Sequence, residues 1–142
     1  MRITTILAAG TLAAAGIGVA RLLQEARHQK QRNEVALASM QITWLSQVST
    51  NGDLAAIWKP AGLDVPAYQR MMTANRMLCQ LTLRHRLGFV SERQLRFHAS
   101  ALGKNAAVQE YLKRFGSLRA EEAAEDRDAA HFTAVLIDAA QT

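Results

Sequence analysis

At 142 residues the chain has room for one domain and an appendage, and too little for two independent cores. A single cysteine, Cys79, excludes an internal disulfide and with it a disulfide-stapled secreted scaffold. The formal charge of +5 invites nucleic acid, but its placement argues against that partner: residues 1–32 hold five bases against Glu25, a net of +4, and residues 33–142 hold twelve bases against eleven acids, a net of +1.

From Ile3 to Ala20 there are 18 residues without a charge. At about 1.5 Å per residue such a helix spans roughly 27 Å, just enough for a hydrocarbon core. Three readings of this stretch compete. It is a retained membrane anchor, a cleaved signal peptide with Arg2 before it and small residues such as Ala13-Ala14-Ala15 near a cut, or an apolar helix packed on its own domain. The anchor is the reading adopted, with residues 1–23 as anchor, 24–34 as a basic helical linker and 35–142 as a helical domain. Arg21, Arg27, Lys30 and Arg32 follow the apolar run, so the positive-inside bias puts that domain on the cytoplasmic side of a single-pass segment in the cell membrane. Gly10, Ala14 and Gly18 stand at i, i+4 and i+8, a small-residue line that lets two helices approach closely in lipid, so self-association through them is a further expectation.

Beyond the linker, apolar residues keep helical period between glycines that mark stops. Leu37, Met40, Trp44, Leu45 and Val48 form a stripe up to Asn51-Gly52, after which Asp53 is expected to cap a short helix ending at Trp58. Asp64 caps the next helix, which tolerates Pro66 in its first turn and runs to Leu87, with Gly88 just past its end. Ser91-Glu92-Arg93-Gln94 is a capping box before Leu95, His98, Ala99 and Leu102. Gly103 closes that helix, and Asn105 opens another bearing Val108, Tyr111, Leu112 and Phe115 up to Gly116. Phe132, Val135, Leu136 and Ala139 give a last helix. No segment alternates with period two. The fold expected is all-α: an N-terminal hydrophobic, transmembrane-type helix followed by a compact bundle of five or six helices.

The helix from Asp64 to Leu87 is apolar around most of its circumference. Stepping about 100° per residue, Tyr68, Met71, Met72, Asn75, Leu78, Cys79, Thr82 and Arg86 share one side. An inward amide or guanidinium must find partners or cost several kcal/mol. Asn75 and Arg86 therefore either bind helix ends or a carboxylate of the acidic C-terminal stretch, or they line, with Tyr68, a cleft for an anionic or polar ligand. Residues 65–109 hold seven bases against Glu92, and residues 110–142 hold seven acids against four bases, which points to internal complementarity.

Chemistry is otherwise scarce. Asp128 and His131 stand at i, i+3, but a helical di-metal site needs that pairing twice, so no metal or cofactor is expected. His98 reads as a core histidine. His85 lies between Arg84 and Arg86 and is expected to have no adjacent carboxylate to orient it. Cys79 has no histidine at helical spacing, and Trp44 and Trp58 read as core anchors. A non-enzymatic, membrane-tethered helical module that binds a protein partner or itself is the leading expectation, with a small-ligand sensor or small enzyme at the Tyr68/Asn75/Arg86 cleft, or an exported protein, behind it.

Trp44, Asn51-Gly-Asp-Leu-Ala-Ala-Ile-Trp58, Tyr68, Asn75-Arg-Met-Leu-Cys79, Arg84-His-Arg-Leu-Gly88 and Tyr111-Leu-Lys-Arg-Phe-Gly-Ser-Leu-Arg119 resemble a family of small, uncharacterised actinobacterial proteins that pair a hydrophobic N-terminus with a helical domain. The resemblance runs over roughly residues 35–140. It implies a membrane-associated helical protein and carries no catalytic or binding residue with it.

Overall fold

A computed structural model describes residues 2–141, with side chains from Ile17 onward. The described residues form six helices and no strand: α1 (Arg2–Thr50), α2 (Gly52–Trp58), α3 (Val65–Arg86), α4 (Glu92–Gly103), α5 (Ala106–Ala123) and α6 (Arg127–Gln141). They divide into two units, residues 1–37 and 38–142.

In the first unit the expected anchor and linker lie in one uninterrupted helix, α1, which no proline breaks. Residues 24–34 stand as a solvated helix stitched along its own surface. Gln29 donates to Asn33, Arg32 donates to Gln29, and Lys30 meets Glu34 one turn on. Such i, i+4 pairs each add a few tenths of a kcal/mol to a helix that buries little. The large apolar side chains Ile17, Val19, Leu22 and Leu23 are all more than half exposed. Among the described residues no helix is long and apolar enough to cross a membrane. The transmembrane character expected of α1 is therefore absent from its described part, because charges begin at Arg21. Most of the Ile3–Ala20 run, with Gly10 and Ala14, lies outside the described side chains. Gly18 is exposed, and a methyl group there would meet nothing within 4 Å.

The second unit has one core, to which five helices contribute a nearly sealed side chain: Leu45 from α1, Leu78 from α3, Leu95 from α4, Val108 from α5, and Phe132 with Leu136 from α6. Burying each is worth about 1.5–3 kcal/mol. Local signals set the helix ends as the sequence suggests at most positions. Asp64 Oδ1 accepts from the Ala67 amide at 2.6 Å. The Ser91–Gln94 capping box is closed in both directions, and Asn105 takes the Ala107 and Val108 amides. At the end of α3 the Phe89 amide reaches the Arg84 carbonyl and the Gly88 amide reaches that of His85, a Schellman closure. Gly88 makes it possible with a φ of +78°.

Several expectations change. The cap of α2 is Asn51, whose Oδ1 accepts from the Leu54 amide, while Asp53 falls inside the first turn. Gly116 does not stop a helix: α5 runs through it to Ala123, because nothing after Gly116 offers a cap until the Ala123–Asp126 turn. Gly103 closes α4 for a second reason. A Cβ there would come within 2.7 Å of the Ala139 carbonyl, so only glycine lets α4 and α6 pack this closely. The predicted stripe on α1 is only partly internal: Leu45 and Val48 are buried, but Met40 and Leu37 are about two-thirds exposed. Trp58 is no core anchor either. It is 55% exposed and rests edge-on against the half-buried Trp44, with ring centroids 5.8 Å apart.

Candidate functional site

On α3, Tyr68 is buried in the core, and burial pushes its hydroxyl above the usual tyrosine range. Asn75 lies two turns further on and faces α5. Its Oδ1 accepts from Arg119 Nη1 at 3.2 Å and from the Cys79 thiol at 3.5 Å. Arg119 Nη1 also reaches the Tyr111 hydroxyl at 3.5 Å, and its guanidinium stands 5.7 Å from the centre of the Phe132 ring. One arginine thus ties α3, α5 and α6 together through an amide, a phenol and an aromatic face. Its Nε is sealed from solvent and has no hydrogen-bond partner.

This cluster is tuned by burial. Desolvation raises the Cys79 thiol, and Arg119 only partly offsets it. Tyr111 behaves alike, raised by burial and eased by Arg119. A thiol held protonated is a poor nucleophile, so Cys79 packs here as a small, weakly polar side chain.

Arg86 is three turns from Asn75 and does not share its surroundings. It pairs with Asp126 across the start of α6. The carboxylate divides its work: Oδ2 takes Arg86, while Oδ1 caps α6 by accepting from the amides of Asp128 at 3.0 Å and Ala129 at 3.1 Å. The complementarity between the basic middle and the acidic C-terminal third is realised at this contact.

A second hub joins α3, α4 and α6 at Glu92. His131 Nε2 stands 3.0 Å from each carboxylate oxygen, Arg96 Nη2 is 3.1 Å away, and His85 Nε2 is 3.7 Å away. The His131 hydrogen bond first, and then the charges of His131 and Arg96, hold the Glu92 carboxyl below the usual range against an opposing effect of burial. His85, expected to have no carboxylate beside it, does have one, because the turn after α3 brings Glu92 at the start of α4 back to it. His131 turns to Glu92, not to Asp128. Among the described residues no group of three or more His, Cys, Asp or Glu is placed to hold a metal ion.

The three residues expected to line a cleft are therefore not brought to one opening. Tyr68 is core, Asn75 binds Arg119 and Arg86 binds Asp126. A shallow groove of about 520 Å³ does lie between α5 and α6, with Gln109, Leu112, Lys113, Gly116, Ile137 and Gln141 among its walls, but none of the three borders it. Arg119 is the organising residue that sequence reasoning passed over. Ending the helix at Gly116 cut it off from Tyr111 and Phe115, whose face of α5 it shares.

No curated protein and no solved structure matches the chain. A family model described as "Family of unknown function (DUF6082)" matches residues 3–142. With the match spanning nearly the whole chain, the protein belongs to that family of unknown function, DUF6082.

Proposed function

We propose that the chain is a non-enzymatic helical interaction module tethered to a membrane through the start of α1, with residues 38–142 meeting a protein partner or a second copy. The observation that carries this reading is the exposure of Ile17, Val19, Leu22 and Leu23. Apolar surface left in water costs about 25 cal/mol per Å² relative to burial. In the first unit Ile17 and Val19 close the uncharged run Ile3–Ala20, Leu22 and Leu23 follow just past Arg21, and a bilayer with its headgroup boundary near Arg21 is the surrounding that suits them. The bases Arg21, Arg27, Lys30 and Arg32 then favour the cytoplasmic face for the second unit. The non-enzymatic part is supported by how the polar groups of α3 are used. Asn75 accepts from Arg119 between α3 and α5, Arg86 pairs with the Asp126 carboxylate that caps α6, and the thiol of Cys79 is held protonated by burial.

The test is an alkaline carbonate wash of membranes from cells making the full chain. The wild type should stay with the lipid, and Leu12→Arg should release it into the wash. Full-length wild-type chain in the wash would refute the tether. A chain found outside the membrane and shortened at its N-terminus would favour export instead.

A further inference from the structure

The outward face of α4 carries charge of one sign. At about 100° per residue, Arg93, Phe97, Ser100, Ala101 and Lys104 fall within roughly 100° of one another, and all five are exposed. Leu95, Ala99 and Gly103 hold the opposite side in the core. The remaining polar side chains at the start of the helix are already occupied: Ser91 and Gln94 close the capping box, and Glu92 is held by His131 and Arg96. Arg93 and Lys104, with the exposed Arg84 near the end of α3, find no ion-pair partner among the described residues. Phe97 stands in the middle of the face and is 72% exposed, and Phe89, in the turn before the helix, is 73% exposed. Surfaces ordinarily intersperse both signs of charge and leave few phenylalanines open. Along Arg84, Phe89, Arg93, Phe97 and Lys104, unpaired bases instead alternate with open rings.

We infer that this stretch, from the turn at Phe89 along the outer face of α4, docks on anionic phospholipid headgroups. The bases meet the phosphates, and the two rings enter the boundary between headgroups and acyl chains. Bases interleaved with phenylalanine are the composition of surfaces that lie on an acidic leaflet. Shape selects lipid over a folded acidic protein. A ring standing out from a convex helix needs a matching pocket in a rigid partner, whereas a fluid leaflet closes around it. Nucleic acid suits the face less, because its affinity comes from many phosphates neutralised together. Here three unpaired bases stand within residues 33–142, which sum to only +1. The inference goes beyond the interaction-module reading by giving the second unit a lipid contact of its own, and it stands or falls without the tether.

The test uses the full chain carrying Leu12→Arg, in which the apolar run is interrupted, and follows its flotation with vesicles. The chain should float with vesicles that mix phosphatidylserine into phosphatidylcholine, stay behind with phosphatidylcholine alone, and be released by salt. In that background Arg93→Glu should weaken binding by about tenfold or more, and Phe97→Ser by about tenfold. Circular dichroism should not change, because both positions are exposed and neither substitution costs helix propensity. Equal flotation with both vesicles, or none with either, would overturn the inference. So would binding that survives both substitutions, which would place the contact on Arg21, Arg27, Lys30 and Arg32 of α1. A single-stranded oligonucleotide or polyglutamate that binds the chain, loses affinity in the same two variants and displaces the vesicles would hand the face to nucleic acid or to an acidic protein and defeat it too. The carbonate wash of the wild type reads the tether separately, so either reading can fail alone.

Discussion

In the second unit Leu45, Leu78, Leu95 and Phe132 are almost sealed from solvent, whereas in the first unit Ile17, Leu22 and Leu23 each leave more than half of their surface open. The polar groups differ in the same way. Asn75, Arg86 and Glu92 find partners on other helices, while the polar side chains of residues 24–34 bond only to neighbours a turn away on α1. The contrast separates two uses of the same residue types. Where apolar groups are hidden and polar groups paired, the residues build a fold. Where apolar groups stay open, as at Ile17, Leu22 and Leu23, they take no part in the core.

Substitutions inside the second unit sharpen this division. The largest effect should come from Phe132→Ala, which empties a nearly solvent-free site and removes the ring beneath Arg119. It should cost about 3–5 kcal/mol in denaturant unfolding. Arg119→Met comes next, at roughly 1–3 kcal/mol, because it strips a donor from Asn75 and Tyr111. A loss well under 1 kcal/mol would mean that the α3–α5–α6 tie is idle, and would reopen the cluster as a site with another purpose.

Asp126 separates capping from ion pairing. Asp126→Ala should cost about 1 kcal/mol, mostly through the cap. Asp126→Asn keeps a capping oxygen and loses only the half-exposed ion pair, so a few tenths of a kcal/mol is expected. Equal losses in the two variants would show that the pairing with Arg86 dominates.

The smallest effect concerns Glu92, read as Tm against pH. Its folded carboxyl titrates below the ordinary value near 4.3. The stability it adds is therefore present above that pH and is lost as pH falls through the folded value. Glu92→Gln should melt slightly below wild type near pH 6, and the gap should close towards pH 3. A gap that widens on acidification would contradict the assignment.

Helix placement was legible wherever a cap or a stop is written in local chemistry. Asp64, Ser91 with Gln94, Gly88 and Asn105 all act within a few residues of themselves, and the sequence places them correctly. Gly116 misleads because a lone glycine weakens a helix by only about 1 kcal/mol, less than the packing of Tyr111, Phe115 and Ala123 returns. The candidate site was harder. Helical period puts Asn75 and Arg86 on one side of α3 and suggests that both face inward, but Arg86 is exposed, and their partners lie 44 and 40 residues away, a distance that periodicity cannot bridge. Charge balance did point to Asp126 in kind, as a carboxylate of the acidic C-terminal stretch. Met40 and Trp58 misled in the opposite sense. Their types and spacing suit a core, and nothing in the sequence says which side of a two-sided apolar helix finds cover.

Hydrogen exchange of the full chain in phosphatidylcholine nanodiscs, compared with detergent-free buffer, tests the division between the two units most directly. Lipid should slow exchange at the amides of residues 3–20 and leave those of residues 38–142 unchanged. Exchange over residues 3–20 as fast in nanodiscs as in buffer would contradict the account, since the open apolar surface of α1 would then have no bilayer around it.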